Sequence, residues 1–266
     1  MRVVVVGASS GIGRSIGLGL AKDGAQVAFL ARRRERLEAA AAEAGGGAVP
    51  IVCDVTDEGS VTDAIGEAAA ALGGIDGLVY ATALGQMGPL EDVDAATWGA
   101  LFATNVTGAA LVTAAALPHL AAAQGAGIYL SSISASLTPS WPLIGAYVTT
   151  KAALDKLVEA WRVEHPEVGF TRFTMGDCIG GDGHSTTELL SDTNPALIGE
   201  AVAEWAARKY FTGNFIDVDH LVAMVGNVIS CGSSSVIPSL SIIARVPAGS
   251  DGPDLSALAL LDDPEA

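Results

Sequence analysis

The chain has 266 residues, half of them hydrophobic, enough to bury one large sheet and its covering helices without a second domain. A formal charge of −16 and an isoelectric point near 4.4 repel polyanions over most of the surface, which argues against nucleic acid or an anionic membrane as the main partner. Cys53, Cys178 and Cys231 are far apart and form no C-x-x-C pair, so they read as reduced thiols rather than a disulfide or zinc framework, and no metal site is expected.

Strand-like sequence begins at residue 2, which leaves no room for a signal or transit peptide and points to a cytoplasmic chain. Val3 to Val6 is a run of four β-branched residues, the pattern of a buried parallel strand. Gly7-Ala8-Ser9-Ser10-Gly11-Ile12-Gly13 follows, then an apolar-striped helix pattern over 12–23. Glycines remove the Cβ atoms that keep phosphates away from backbone N–H groups, and a helix start directs its own N–H groups and partial positive charge at an anion. The turn is therefore a place for a pyrophosphate, although its G-x-x-x-G-x-G spacing differs from the commoner G-x-G-x-x-G.

A second strand is expected at 26–30. It runs into Ala31-Arg32-Arg33-Arg34-Glu35-Arg36, which holds four of the fourteen basic residues. An acid at this point bonds a ribose 2′-hydroxyl, whereas arginine accommodates a 2′-phosphate. Arg32 and Arg33 thus favour NADP(H) over NAD(H), and their position at the start of a helix over 33–44 is electrostatically poor unless an anion joins them. After a third strand at 48–52, Asp54-Val55 lies where an adenine ring would sit. Asp54 has a competing role with Thr56 as cap of a helix over 57–72.

Strands at 76–80, 126–132, 168–174 and 239–245 alternate with helices at 97–123, 145–164, 197–210 and 217–230. This is the pattern of an α/β, doubly wound parallel sheet of about seven strands, with helices on both faces. Ligands in such sheets bind outside the carboxyl ends of the strands. No stretch gives about 18 consecutive apolar residues, so 97–123 reads as a buried helix rather than a membrane span. Residues 1–248 read as a single dinucleotide-binding domain with a substrate region near 177–215, in which Gly180–Thr187 is a loop. Residues 249–266 read as an acidic tail.

Tyr147-Val148-Thr149-Thr150-Lys151 opens the helix over 145–164. Four residues apart, Tyr147 and Lys151 share a helix face, with Cβ atoms roughly 5–6 Å apart. A free tyrosine with a pKa of about 10 is ionised about one part in a thousand at neutral pH, and a neighbouring ammonium that lowers it makes Tyr147 a usable acid/base.

The glycine turn, Asp54-Val55, Asn105-Val106-Thr107-Gly108, a serine-rich strand end and Tyr147/Lys151 come in the order seen in the short-chain dehydrogenase/reductase family, and the chain up to about residue 176 resembles its compact single-domain branch. The resemblance implies that Gly7, Ser9, Ser10, Gly11, Ile12 and Gly13 hold the dinucleotide, with Arg32 and Arg33 at the 2′-phosphate, Asp54 and Val55 at the adenine and Ala81 along the ribose. It implies that Tyr147 exchanges the proton with a carbonyl or alcohol oxygen. Lys151 would bond the nicotinamide ribose and depress the Tyr147 pKa, and Asn105 would hold a water in the relay behind Lys151.

The catalytic serine falls on Ser134 by its distance from Tyr147, or on Ser132 by the Ser-Ser pattern. Both have the same parity on an extended strand, and Ser131, Ser136 and Ser140 are expected in loops. Two segments depart from the family: Tyr80-Ala81-Thr82-Ala83 replaces Asn-Asn-Ala-Gly, and Met175-Gly176-Asp177 replaces a Pro-Gly turn. Leu84, Met87, Trp141, Leu143 and Ile144 are expected near the pocket. The reading is an NADPH-dependent reductase of a moderately apolar small ketone or aldehyde, or the reverse alcohol dehydrogenase. The alternative is a nucleotide-binding regulatory or scaffold protein. A homodimer or homotetramer through 97–123 and 145–164 is implied by the resemblance.

Overall fold

The chain's alternating apolar runs fold as a parallel sheet, seen in a computed structural model that describes residues 1–178, 180 and 195–246. Its strands are β1 (Arg2–Val6), β2 (Gln26–Ala31), β3 (Val49–Val52), β4 (Gly77–Tyr80), β5 (Ala126–Ser132), β6 (Gly169–Met175) and β7 (Ser239–Ile242), in the order β3-β2-β1-β4-β5-β6-β7. The helices are α1 (Gly11–Lys22), α2 (Arg34–Ala44), α3 (Glu58–Leu72), α4 (Ala95–Phe102), α5 (Gly108–Ala123), the short α6 (Ile133–Ser136), α7 (Gly145–Glu164), α8 (Pro195–Ala207) and α9 (Val218–Ile229). Of the loop expected at Gly180–Thr187 only Gly180 is described, and the tail expected at 249–266 lies outside the described residues. The last strand ends at Ile242, three residues before the expected end.

The four valines of β1 are all fully buried because the sheet is covered on both sides. Val4 and Val6 pack with Leu30, Tyr80 and Tyr129 under α3, α5 and α7, while Val3 and Val5 pack with Phe29 and Val79 under α1, α2 and α9. Strand order reverses between β1 and β4, and that switch point opens a cavity beyond the carboxyl ends of the strands.

The helix expected over 97–123 is divided by a π turn at Ala103–Thr107 that joins α4 to α5. Taken together, Ala95–Ala123 is 29 residues long and apolar enough, by length and composition, to cross a membrane. Buried core helices pass the same test, and Ala109, Val112, Ala116 and Leu120 of this run lie in the core against the sheet.

Candidate active site

The glycine turn closes as a cradle. Gly7 has φ +88°, a left-handed backbone that favours glycine, and a Cβ placed on it would lie 2.6 Å from the Thr82 nitrogen. A Cβ on Gly13 would collide with the Gly7 carbonyl, so the first turn of α1 can approach β1 only without a side chain there. Gly11, Ile12 and Gly13 line the cavity, and that first turn carries no acidic residue and no side-chain cap. These features fit a diphosphate. Gly13→Ala is expected to lower stability by about 1–3 kcal/mol in thermal melts and to weaken dinucleotide binding, because the obstructing atoms are backbone.

Ser9 and Ser10 are held by Arg33: its Nη2 donates to both hydroxyl oxygens at 2.7 Å, and its Nε donates to Ser9 Oγ at 3.2 Å. Arg33 is also the N-cap residue of α2. Arg32 and Arg36 line the same end of the cavity, so the basic group is larger than the pair read from the sequence. Asp54 and Val55 line it as well. Asp54 Oδ1 accepts from Thr56 N at 2.9 Å and from Thr56 Oγ1 at 2.7 Å, which holds its carboxyl below the usual range. The cap of α3 is neither Asp54 nor Thr56 but Asp57, whose side chain accepts from Ser60 N at 2.7 Å. The α3 turn starts one residue later than expected, which moves the cap position.

The altered segment after β4 is well seated. Tyr80 is fully buried, stacks on Tyr129 with ring centroids 6.3 Å apart, and donates its hydroxyl to the Thr104 carbonyl at 2.5 Å. Ala81 N donates to Val6 O at 2.9 Å, and Ala81 lines the cavity. The π turn thus has a carbonyl captured by the residue that departs from the family. Asn105, fully buried in that turn, accepts from Leu84 N at 2.7 Å and donates to Leu84 O at 2.9 Å and to Thr150 Oγ1 at 2.8 Å. Its side-chain amide is therefore held in place by the stretch after β4 and by α7. Its link to the neighbourhood of Lys151 runs through Thr150, which in turn donates to the Tyr147 carbonyl at 2.7 Å.

Tyr147 and Lys151 both line the cavity from α7. Lys151 is buried, its Nζ donates to Leu130 O at 2.8 Å, and it lies 5.7 Å from the centre of the Tyr147 ring. Burial pulls its ammonium down to about 8, against the opposing pull of Asp155. The expected depression of Tyr147 is not present. Burial pushes its hydroxyl above the usual range, while Lys151 lies over the ring with its Nζ committed to the β5 carbonyl.

Ser132 Oγ and Ser134 Oγ are 2.8 Å apart and both line the cavity. Their meeting does not come from strand parity. β5 ends at Ser132, which caps α6, and Ser134 belongs to that helical turn. Ser131 and Ser136 likewise lie in β5 and α6 rather than in loops.

Asp155, one turn beyond Lys151 on α7, was not singled out from the sequence. Its buried carboxylate lies 3.5 Å from Arg172 Nη1, and burial pushes it up. The i, i+4 acid after Lys151 was its available signal.

Leu84, Trp141 and Ile144 line the cavity as expected, whereas Met87 and Leu143 belong to the apolar cluster packed around it. Ile198, Val202 and Trp205 of α8, with Phe211 and Phe215, complete a wall the sequence did not assign. The whole cavity is about 1080 Å³.

A doubly wound sheet with a glycine cradle at its switch point and a Tyr/Lys/Ser group beside it defines a dinucleotide-type oxidoreductase site. The short chain dehydrogenase family model matches residues 1–174, and the chain belongs to that oxidoreductase family. It is 30% identical over 240 residues to a gluconate 5-dehydrogenase of Gluconobacter oxydans, covering 88% of this chain and 90% of that one. It is 36% identical over 180 residues to a short chain dehydrogenase of Pseudocercospora fijiensis, covering 65% of this chain and 57% of that one. Among solved structures, a metagenomic short-chain oxidoreductase in complex with NADP superposes with a TM-score of 0.71 at 25% identity, covering 92% of this chain and 98% of that one.

Proposed function

We propose that this chain is an NADPH-dependent carbonyl reductase, acting in reverse as an alcohol dehydrogenase, on a moderately apolar small molecule. The observation that carries this reading is that Tyr147, Lys151 and Ser134 line the same cavity as the Gly7–Gly13 cradle. The cradle, the first turn of α1 and the arginines suit a phosphorylated dinucleotide, held by Gly7, Ser9, Ser10, Gly11, Ile12 and Gly13 with Asp54, Val55 and Ala81 alongside.

When bound, the nicotinamide supplies the hydride. The Tyr147 hydroxyl gives its proton to the carbonyl oxygen as the C=O double bond opens, and takes one back in the oxidative direction. Ser134, aligned by Ser132, donates to the same oxygen and stabilises the charge that develops there. Lys151 holds positive charge under the Tyr147 ring and is the group placed to resupply the proton. Asn105 is a positioning residue that ties the stretch after β4 to α7. We further propose pairing of two or four copies through α5 and α7, which light scattering measures directly.

Arg33 and Arg32 favour the 2′-phosphate. Arg33→Asp is expected to raise the dissociation constant for NADPH by about 10–100-fold, with a much smaller change for NADH, measured by fluorescence titration. Equal affinity of the unmodified protein for both cofactors would remove the basis of the assignment.

A further inference from the structure

The charged residues lining the cavity, among those described, are Arg32, Arg33, Arg36 and Asp54 at the cradle end, together with Lys151 and Asp177. Asp177 stands where the family turn is altered. Its backbone is fixed: its carbonyl accepts from Ile216 N at 2.8 Å, and the next residue, Cys178, pairs with Ile216 across a parallel bridge. Yet its carboxylate has no cation or hydrogen-bond donor from another described residue. A half-buried acid fixed on a cavity wall, with no partner from another described residue, is open to a cationic ligand.

The remaining wall of the cavity is aromatic. Trp141 and Trp205 lie with ring centroids 5.1 Å apart, and Phe211 and Phe215 with theirs 5.9 Å apart, and all four line it. Aromatic faces and a carboxylate are the two groups that attract an organic cation, and a chain of net charge −16 draws cations toward its surface.

We propose that Asp177 makes the cavity selective for carbonyl compounds, and the matching alcohols, that carry an ammonium group on an apolar frame. This deepens the reading of the cavity as a carbonyl-reduction site and rests on it. The carbonyl end meets Tyr147 and Ser134, and the ammonium end meets Asp177 against the aromatic wall. The reaction itself is unchanged: the ammonium group is neither formed nor broken.

Burial pushes the Asp177 carboxyl up to about 6. It is therefore ionised at neutral pH and neutralised in mild acid. Its titratable neighbours are the Cys178 thiol beside it and Asp217 at the start of α9, which also acts on that thiol, and neither supplies a positive charge. Lys151 lines the same cavity but is tied to Leu130 O.

The test is calorimetric titration of the full chain, with and without NADP⁺, by phenacyltrimethylammonium and by its neutral isostere neopentyl phenyl ketone. The expected result is that the cation binds about tenfold or more tightly than the isostere at neutral pH. Asp177→Asn is expected to abolish that ratio. In the unsubstituted protein the ratio is expected to collapse toward about pH 5, where the ligand keeps its charge and Asp177 loses its own.

Equal binding of the two ketones, no binding of either, or a preference that survives Asp177→Asn overturns the proposal. So does an Asp177→Asn effect confined to NADPH affinity, which would assign the acid to the cofactor. Reduction of the neutral ketone without charge preference sinks this inference alone. A charge preference without turnover of either ketone sinks the carbonyl-reductase reading and leaves Asp177 as a cation site.

Discussion

Tyr147→Phe is expected to lower turnover by about 10²–10⁴-fold while NADPH affinity changes far less. The substitution removes the one hydroxyl placed to move a proton and keeps the ring over which Lys151 lies, 5.7 Å from its centre. The α7 backbone around it is held by Thr150, whose hydroxyl donates to the Tyr147 carbonyl and so does not depend on the phenol. Thermal melts of the variant and the parent should therefore nearly coincide, separating loss of chemistry from loss of fold.

The direction of the Tyr147 shift adds a second readout. Because burial pushes its pKa up, the hydroxyl is protonated through the neutral range, which suits carbonyl reduction. Alcohol oxidation needs the phenolate and should rise with pH well past neutrality. Retention of full turnover by Tyr147→Phe ends the proposed mechanism.

The strands and most helices were legible because their signals are local. Val3–Val6, Gln26–Ala31 and Ala126–Ser132 are apolar runs punctuated by glycine or charge, and the Tyr147/Lys151 spacing places both side chains on one face of a helix wherever that helix lies.

What was not legible depends on residues far apart in the chain. The π turn at Asn105 leaves the apolar pattern of 97–123 almost unchanged. It is braced by Tyr80 and Leu84, more than twenty positions away, and by Thr150. The same holds for the cavity wall. Helices at 197–210 and 217–230 were expected close to where α8 and α9 lie. That Trp205, Phe211 and Phe215 face the same space as Tyr147 follows only from how the elements pack. Strand parity predicts that Ser132 and Ser134 both face the site; both do line the cavity, but through a helical turn that begins where β5 ends, a packing outcome that parity does not describe.

Lys151→Met separates the cost of the site from its use. An ordinary lysine titrates at 10.5, and burial lowers Lys151 to about 8, so at neutral pH the fold carries an ammonium in an environment that disfavours it by about 3 kcal/mol. Between those two values the unfolded chain binds more protons than the folded one, so this residue's contribution to stability improves as pH rises.

Cys53 and Cys178, which burial pushes up to about 11 and about 12, pull the other way in alkali. The informative quantity is therefore the difference between variant and parent. Lys151→Met loses the hydrogen bond to Leu130 O at every pH, and it escapes the cost of burying the lysine, which is full below about 8 and fades toward about 10.5. Its stability relative to the parent, from urea titrations, should be most favourable at neutral pH and should decline by up to about 3 kcal/mol toward pH of about 10.5. Turnover should fall by about a hundredfold or more at every pH. A pH-independent difference would mean that the fold leaves Lys151 at the ordinary lysine value, and the lowered pKa that suits it to resupply the proton would be absent.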